Sequence, residues 1–130
     1  MDQETAGKAK VVLVVDDDGQ RLARTQKILT EAGYSVLSAS SAEEAEALAD
    51  TEAVFDLIIC PVVMEGRGHT GVHLAEHIEK SKRTSSILLV SHYSRDLLRH
   101  VRGFDRQQHF LSNPFSDEEL LRWVRDLLAR

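Results

Sequence analysis

Three consecutive acidic residues, Asp16, Asp17 and Asp18, are the part of this sequence best suited to chemistry. They directly follow the apolar run 11–15, whose composition of four valines and one leucine is typical of a strand buried on both faces. Because adjacent carboxylates repel each other, the cluster needs a cation or solvent to neutralise it. A divalent ion such as Mg²⁺, which takes oxygen ligands, is the expected occupant. The alternative is a solvated turn in which Asp18 caps the following helix.

The amino-acid composition argues against several classes of protein. The chain has 130 residues and a net charge of -5, which argues against direct binding of nucleic acid. Its single cysteine, Cys60, excludes an internal disulfide and favours a cytoplasmic location. No apolar stretch is long enough to span a membrane, so no membrane association is expected. We expect a disordered, polar tail over residues 1–9 and one domain over residues 10–130.

The elements that must position the acids alternate along the chain. Strand-like runs are predicted at 11–15, 34–39, 55–60, 87–91 and 108–111, and helix-like runs at 20–32, 42–50, 71–80, 94–104 and 117–128. Capping boxes are predicted where Ser41 precedes Glu44 and where Ser116 precedes Glu119. Regular alternation predicts an α/β fold, with a parallel sheet of five strands between two layers of helices.

Four motifs carry a family resemblance. They are the acidic end of the first strand, Gly33-Tyr34-Ser35-Val36, Phe55-Asp56-Leu57-Ile58-Ile59, and Phe110-Leu111 with Pro114-Phe115. In this order and at these intervals, the chain resembles the receiver domains of two-component response regulators. The resemblance covers residues 10–130 and implies a doubly wound, flavodoxin-like (βα)5 fold with strand order 2-1-3-4-5.

The resemblance also implies site residues. In such receivers a histidine kinase transfers a phosphoryl group to an aspartate at the end of the third strand. Asp16 and Asp17 match the acidic pair that holds Mg²⁺, with Asp17 as the direct ligand. Ser91 matches the hydroxyl residue that contacts the phosphoryl group, and Phe110 matches the aromatic switch residue.

Two matched positions depart from the family pattern. The phospho-acceptor position holds Pro61, which has no nucleophilic oxygen and cannot form an acyl phosphate. The lysine position holds Asn113, whose neutral amide cannot neutralise a phosphoryl oxygen as a cation does. We therefore expect no catalytic residue and no enzymatic activity, and either no cofactor or weakly bound Mg²⁺. Ser91, His92 and Asn113 would be remnants of the phosphate pocket, with His92 filling the path to the third strand.

Two other sets of side chains leave alternatives open. Glu65, in the glycine-rich loop after the third strand, is the nearest acid that could replace the missing aspartate. His69, His73 and His77 recur at helical spacing that suits zinc or nickel, although a solvated surface is the favoured interpretation.

The surface expected to contact partners follows from the same resemblance. Such receivers signal through the fourth helix, fifth strand and fifth helix, where this chain carries Phe110, Arg99 and Trp123 among mixed charges. The expected function is that of an atypical receiver in phosphorelay signalling, not phosphorylated and acting through protein contacts. Its partners would be a histidine kinase, an output domain or protein, or a second copy of the chain. Two alternatives remain: a working receiver phosphorylated at a non-standard residue such as Glu65 or Asp17, or a flavodoxin-like nucleotide binder.

Overall fold

A computed structural model describes residues 10–51, 54–62, 86–91, 109–112 and 115–129. The predicted tail (1–9), the predicted helices 71–80 and 94–104, and the individual residues Glu65, His92, Arg99, Asn113 and the three spaced histidines lie outside these residues. Five strands are described: β1 (Val11–Val15), β2 (Ser35–Ala39), β3 (Leu57–Pro61), β4 (Ser86–Ser91) and β5 (His109–Ser112). Three helices are described: α1 (Gly19–Glu31), α2 (Ala42–Ala49) and α3 (Asp117–Leu128).

The strands form one parallel sheet in the order β2-β1-β3-β4-β5, which confirms the predicted fold. Its β1 strand lies between β2 and β3, with Val12 paired to Val36 on one side and to Leu57 on the other. Strand–helix alternation places all carboxyl ends of the strands at the same edge of this sheet.

Alternating side chains along each strand divide the core between the two faces of the sheet. Leu13, Ile58 and Leu89 pack with the buried alanines of α2 on one face. Val14, Ile59 and Leu88 pack on the other face, with residues of α1 and α3. Both faces are therefore covered, which explains why β1 and β3 are continuous apolar runs rather than alternating ones.

The residues that cap the helices mostly behave as predicted. Gly33 has a φ of 101°, the left-handed conformation expected just after the end of α1. The Ser116–Glu119 capping box is confirmed at the start of α3, where each residue bonds the backbone of the other. The box predicted at α2 is only half formed. Ser41 accepts the Glu44 N–H at 3.1 Å, but the Glu44 carboxylate accepts from Ser40, one residue before the cap.

Candidate functional site at the carboxyl edge of the sheet

The sheet brings the predicted site positions together at one edge. Val14 pairs with Ile59, and each of these residues lies two positions before a site residue, Asp16 directly after β1 and Pro61 at the end of β3. Pro61 in turn pairs with Val90, the residue before Ser91. The structure therefore lines up the ends of β1, β3 and β4 as neighbours at the same edge, as the sequence predicts.

Pro61 is the last residue of β3 and lies half-buried. The strand pairing continues past it, since the N–H of Val62 donates to the Val90 carbonyl at 2.9 Å. A proline fits here because it lacks an N–H, and the end of a strand is a position where a ladder donor can be missing. The side chain at the end of β3 is thus the saturated ring of Pro61, which has no oxygen atom.

Asp56 provides an internal check on the register of β3. It precedes the strand at the opposite edge of the sheet, where its carboxylate Oδ2 accepts the N–H of Val11 at 2.7 Å. Its own N–H donates to the Val11 carbonyl at 2.8 Å. Asp56 therefore joins the starts of β1 and β3 and lies a full strand away from the edge where Asp16 is found.

Asp16 is held by an arginine of the following helix. Its two carboxylate oxygens accept hydrogen bonds from Arg21, at 3.1 Å from Nε to Oδ2 and at 3.0 Å from Nη2 to Oδ1. The Asp18 N–H donates to the same Oδ1 at 2.9 Å. This fork-to-fork geometry is the strong form of an arginine–carboxylate pair. The Asp16 side chain is 15% exposed and that of Arg21 is 42% exposed, so the pair is partly shielded from water.

The same guanidinium reaches the other two acids. Nη2 lies 3.8 Å from Oδ1 of Asp17, and Nη1 lies 3.6 Å from Oδ2 of Asp18. Hydrogen bonding to Asp16 is the main cause of a raised Arg21 pKa, with attraction to all three carboxylates adding to it against desolvation. The three acids thus share one positive group supplied by the chain itself.

Asp18 is the N-cap of α1, which confirms the cap that the alternative for the acidic cluster predicted, although Asp16 is paired with Arg21 rather than solvated. Its Oδ1 accepts the N–H groups of Gln20 at 2.9 Å and Arg21 at 3.1 Å. The Arg21 N–H is the main cause of a lowered Asp18 pKa, because the bond favours the charged carboxylate. Asp18 therefore starts the helix that carries Arg21.

Sequence reasoning expected a divalent cation or solvent to neutralise the cluster, and it missed Arg21. A signal for Arg21 does exist: it follows Asp18 by three residues and Asp17 by four, spacings at which side chains on a helix are neighbours. Arg21 lies beside the acids because α1 begins immediately after them. Its first turn brings the guanidinium back over the end of β1.

The residues described at this edge offer a Mg²⁺ ion only a few carboxylate oxygens. Both Asp16 oxygens accept N–H donors, and the end of β3 offers a proline ring rather than a carboxylate. In the part of the chain that is described, no three His, Cys, Asp or Glu side chains are grouped to hold a metal. A Mg²⁺ ion bound here would therefore keep most of its water ligands, as it usually does in proteins.

The other residues singled out in the sequence fall on four elements, β3, β4, β5 and α3. Ser91 is 6% exposed at the end of β4, and it is the only buried polar side chain among the described residues. Phe110 is 7% exposed on β5 and packs in the core cluster beneath α2. Trp123, on α3, is half-buried against the opposite cluster. Cys60, next to Pro61, is fully buried, and burial raises the pKa of its thiol to about 12.

Comparison with known proteins gives the family. The response regulator receiver domain model matches residues 12–125. Among curated proteins, the transcriptional regulatory protein CpxR of Klebsiella pneumoniae is 30% identical over 92% of this chain, and ResD of Bacillus subtilis is 30% identical over all of it. The chain spans about half the length of these two relatives, 49% and 51% respectively. The sensor kinase CckA of Brucella abortus is 29% identical, with 13% of its length covered.

Solved structures of response regulators also resemble this chain. TrrA of Thermotoga maritima, in complex with Mg²⁺ and BeF, superposes with a TM-score of 0.75 at 29% identity, covering 91% of this chain and 98% of that one. The chemotaxis response regulator CheY4 of Vibrio cholerae superposes with a TM-score of 0.78 at 27% identity, covering 92% and 98%. None of the described helices has the length and apolar character that crossing a membrane requires. Together with the five-stranded sheet, these matches show that this chain belongs to the response regulator receiver domain family.

Proposed function

We propose that this receiver domain is not phosphorylated and acts as a protein-interaction module in bacterial two-component signalling. The observation that carries the proposal is Pro61 at the end of β3, beside the end of β1. Phosphoryl transfer to a receiver needs a carboxylate oxygen to attack phosphorus and form an acyl phosphate. The pyrrolidine ring offers no lone pair for that attack.

The position of Asp56 supports this interpretation, because it argues against a shifted register. A slip of β3 that brought Asp56 to the carboxyl edge would break its bonds to Val11, both shorter than 3 Å. The slip would also have to move the buried residues Ile58 and Cys60 out of the core face that they share. The family resemblance adds Asn113, which replaces the cationic lysine, and His92, which is larger than the usual residue at its position.

Weak Mg²⁺ binding forms part of the proposal. The acidic pair Asp16 and Asp17 is retained, so some attraction for a cation remains. One carboxylate of the usual set is missing and Asp16 is bonded to Arg21. We expect binding in the millimolar range or weaker, because few oxygen ligands remain for the ion.

The proposed interaction surface includes β5 and α3. Arg122, Arg125 and Asp126 are exposed on α3, while Trp123 is half-buried and packs against the core. Mixed charge of this kind gives orientation to a contact rather than large affinity. The proposed partners are a histidine kinase, an output domain or protein, or a second copy of this chain, in the cytoplasm.

The test is exposure to a small phosphodonor. The chain is incubated with acetyl phosphate and Mg²⁺, and its intact mass is measured, with a receiver that accepts phosphate treated alongside to show that the donor is active. Beryllofluoride with Mg²⁺ is added in parallel while Trp123 fluorescence is followed. The proposal expects no mass gain and no fluorescence change.

A Pro61→Asp variant is the matched comparison, because it supplies a carboxylate at the position in question. A mass gain of one phosphate in the variant but not in the parent chain would show that the residue at position 61 is the reason why the parent does not accept phosphate. A gain in the parent chain would contradict the proposal and favour acceptance by another acid, such as Glu65 or Asp17. Peptide mapping of the phosphorylated product identifies that acid.

A further inference from the structure

We propose that Arg21 is a built-in counter-cation, which holds the acidic edge of the sheet in place of a divalent ion. Its guanidinium binds Asp16 through two hydrogen bonds and lies within 4 Å of Asp17 and Asp18. An ion that takes Asp16 as a ligand must therefore compete with the guanidinium for that carboxylate. The proposal does not depend on whether the chain accepts phosphate.

The position of Arg21 in its helix supports this role. Asp18 is the N-cap, so Arg21 lies in the first turn of α1, near the positive end of the helix dipole. Acidic residues are favoured at that end and basic ones are disfavoured, yet the first turn of α1 has no acidic residue. A positive side chain there is understandable only because three carboxylates face it.

The shape of the side chain also matters. A guanidinium presents two parallel N–H donors that match the two oxygens of one carboxylate, whereas a magnesium ion needs about six oxygen ligands in a near-octahedral arrangement. Asp16 satisfies the first requirement, whereas a magnesium ion at this edge would have to complete its shell with water. The edge is therefore built for a cation with directed hydrogen bonds.

Magnesium titration of two charge-matched variants tests the proposal. Arg21→Gln removes the counter-cation. Arg24→Gln removes the same charge from the same helix, but Arg24 pairs instead with Asp117 of α3, at 2.9 Å. Mg²⁺ affinity is measured by calorimetry, and the thermal unfolding midpoint is measured with and without Mg²⁺.

The proposal expects Arg21→Gln to bind Mg²⁺ about tenfold more tightly than the parent chain, the change produced when binding no longer has to break the arginine pair. Arg24→Gln and the parent chain should bind equally weakly. An Arg21→Lys variant should fall between Arg21→Gln and the parent, because it keeps the positive charge but loses the two parallel donors that bind Asp16. Equal Mg²⁺ affinity in the Arg21→Gln variant and the parent would overturn the proposal.

Unfolding of the Arg21→Gln variant would not prevent the test. In that case the proposal requires millimolar Mg²⁺ to restore folding, as judged by circular dichroism, and failure of Mg²⁺ to do so would count against it. The readouts are separate from phosphate uptake. A chain that gains phosphate mass yet shows the Arg21 effect would contradict the proposed function while leaving this inference intact.

Discussion

Asp16 shows how one carboxylate can be satisfied entirely within the chain. It accepts three N–H groups, two from the Arg21 side chain and one from the Asp18 backbone. Repulsion among adjacent acids would lead one to expect that removing a charge stabilises the fold. The observed bonds reverse that expectation for Asp16, since neutralising it weakens two charge-assisted hydrogen bonds.

Asp16→Asn should therefore lower the free energy of unfolding by about 1 kcal/mol, a modest value because the Arg21 side chain is partly exposed to water. Urea denaturation followed by circular dichroism measures the change. Asp126→Asn, which removes an exposed carboxylate from α3, serves as the control and should have a smaller effect. A clear gain in stability for Asp16→Asn would mean that repulsion among the acids outweighs the Arg21 pair.

Cys60 gives a second residue-scale prediction. Its thiol is fully buried beside Pro61, with a pKa raised to about 12 by desolvation. Because the thiolate is the reactive form, the native protein should not react with a thiol reagent at about pH 8, where an exposed cysteine is partly ionised. Reaction in denaturant should consume one thiol per chain. Rapid reaction of the native protein would show that β3 opens near Pro61.

At the scale of elements, the starts of α2 and α3 show why a correct motif does not always give a correct contact. Both helices begin with Ser-x-x-Glu, and only α3 forms the reciprocal box. At α2 the preceding residue, Ser40, offers both its N–H and its hydroxyl to Glu44, at 2.6 Å and 2.8 Å. Two donors on one residue outcompete the single backbone N–H of the cap.

Capping at α3 should contribute measurably to stability. Ser116→Ala removes the acceptor of the Glu119 N–H and should lower the free energy of unfolding by about 1 kcal/mol. Ser38→Ala, at an exposed position of β2, provides a matched control that should change stability little. Thermal or urea denaturation compares the two. Equal effects of the two substitutions would show that the cap contributes nothing specific.

Glu44 makes the stability of the α2 start depend on pH. The hydrogen bonds from Ser40 lower the pKa of Glu44 in the folded state. A lowered folded-state pKa stabilises the protein above the unfolded-state value of about 4.3, and this contribution is lost as the pH falls through the folded-state value. Glu44→Gln should therefore lose less stability than the parent between about pH 6 and pH 3.

Ser40→Ala gives the intermediate case, because it removes the hydroxyl donor and keeps the backbone N–H. Its loss of stability on acidification should lie between those of the parent and of Glu44→Gln. Urea denaturation at several pH values provides the comparison. Identical pH profiles for all three proteins would contradict the assigned role of these bonds.

At the scale of the whole molecule, Arg24 and Asp117 join α1 to α3 across 93 residues of sequence. Both side chains are more than half exposed, at 66% and 56%. A double-mutant cycle on this pair should therefore give a coupling of less than about 1 kcal/mol, decreasing as salt is added. A larger, salt-independent coupling would mean that the pair is shielded from solvent in solution.

Most of the fold could be predicted from the sequence, because strands that are buried on both faces, such as β1 and β3, appear in it as long apolar runs. Strand ends were less exact: β3 extends to Pro61 and β5 to Ser112, one residue beyond each predicted end. Pairing with a neighbouring strand, which local composition does not reveal, decides such boundaries. The arginine pair at Asp16 was missed for a similar reason. Residue spacing shows which side chains are near each other, while the path of the helix decides which of them bond.

A positive group that belongs to the chain cannot be diluted. Free ions reach an acidic surface according to their concentration in the surrounding fluid, whereas Arg21 is part of the chain and lies within bonding distance of Asp16 in the folded protein. The shape of this edge should consequently change little until Mg²⁺ reaches the millimolar concentrations at which it competes with Arg21. A partner that recognises the edge would then meet one constant surface.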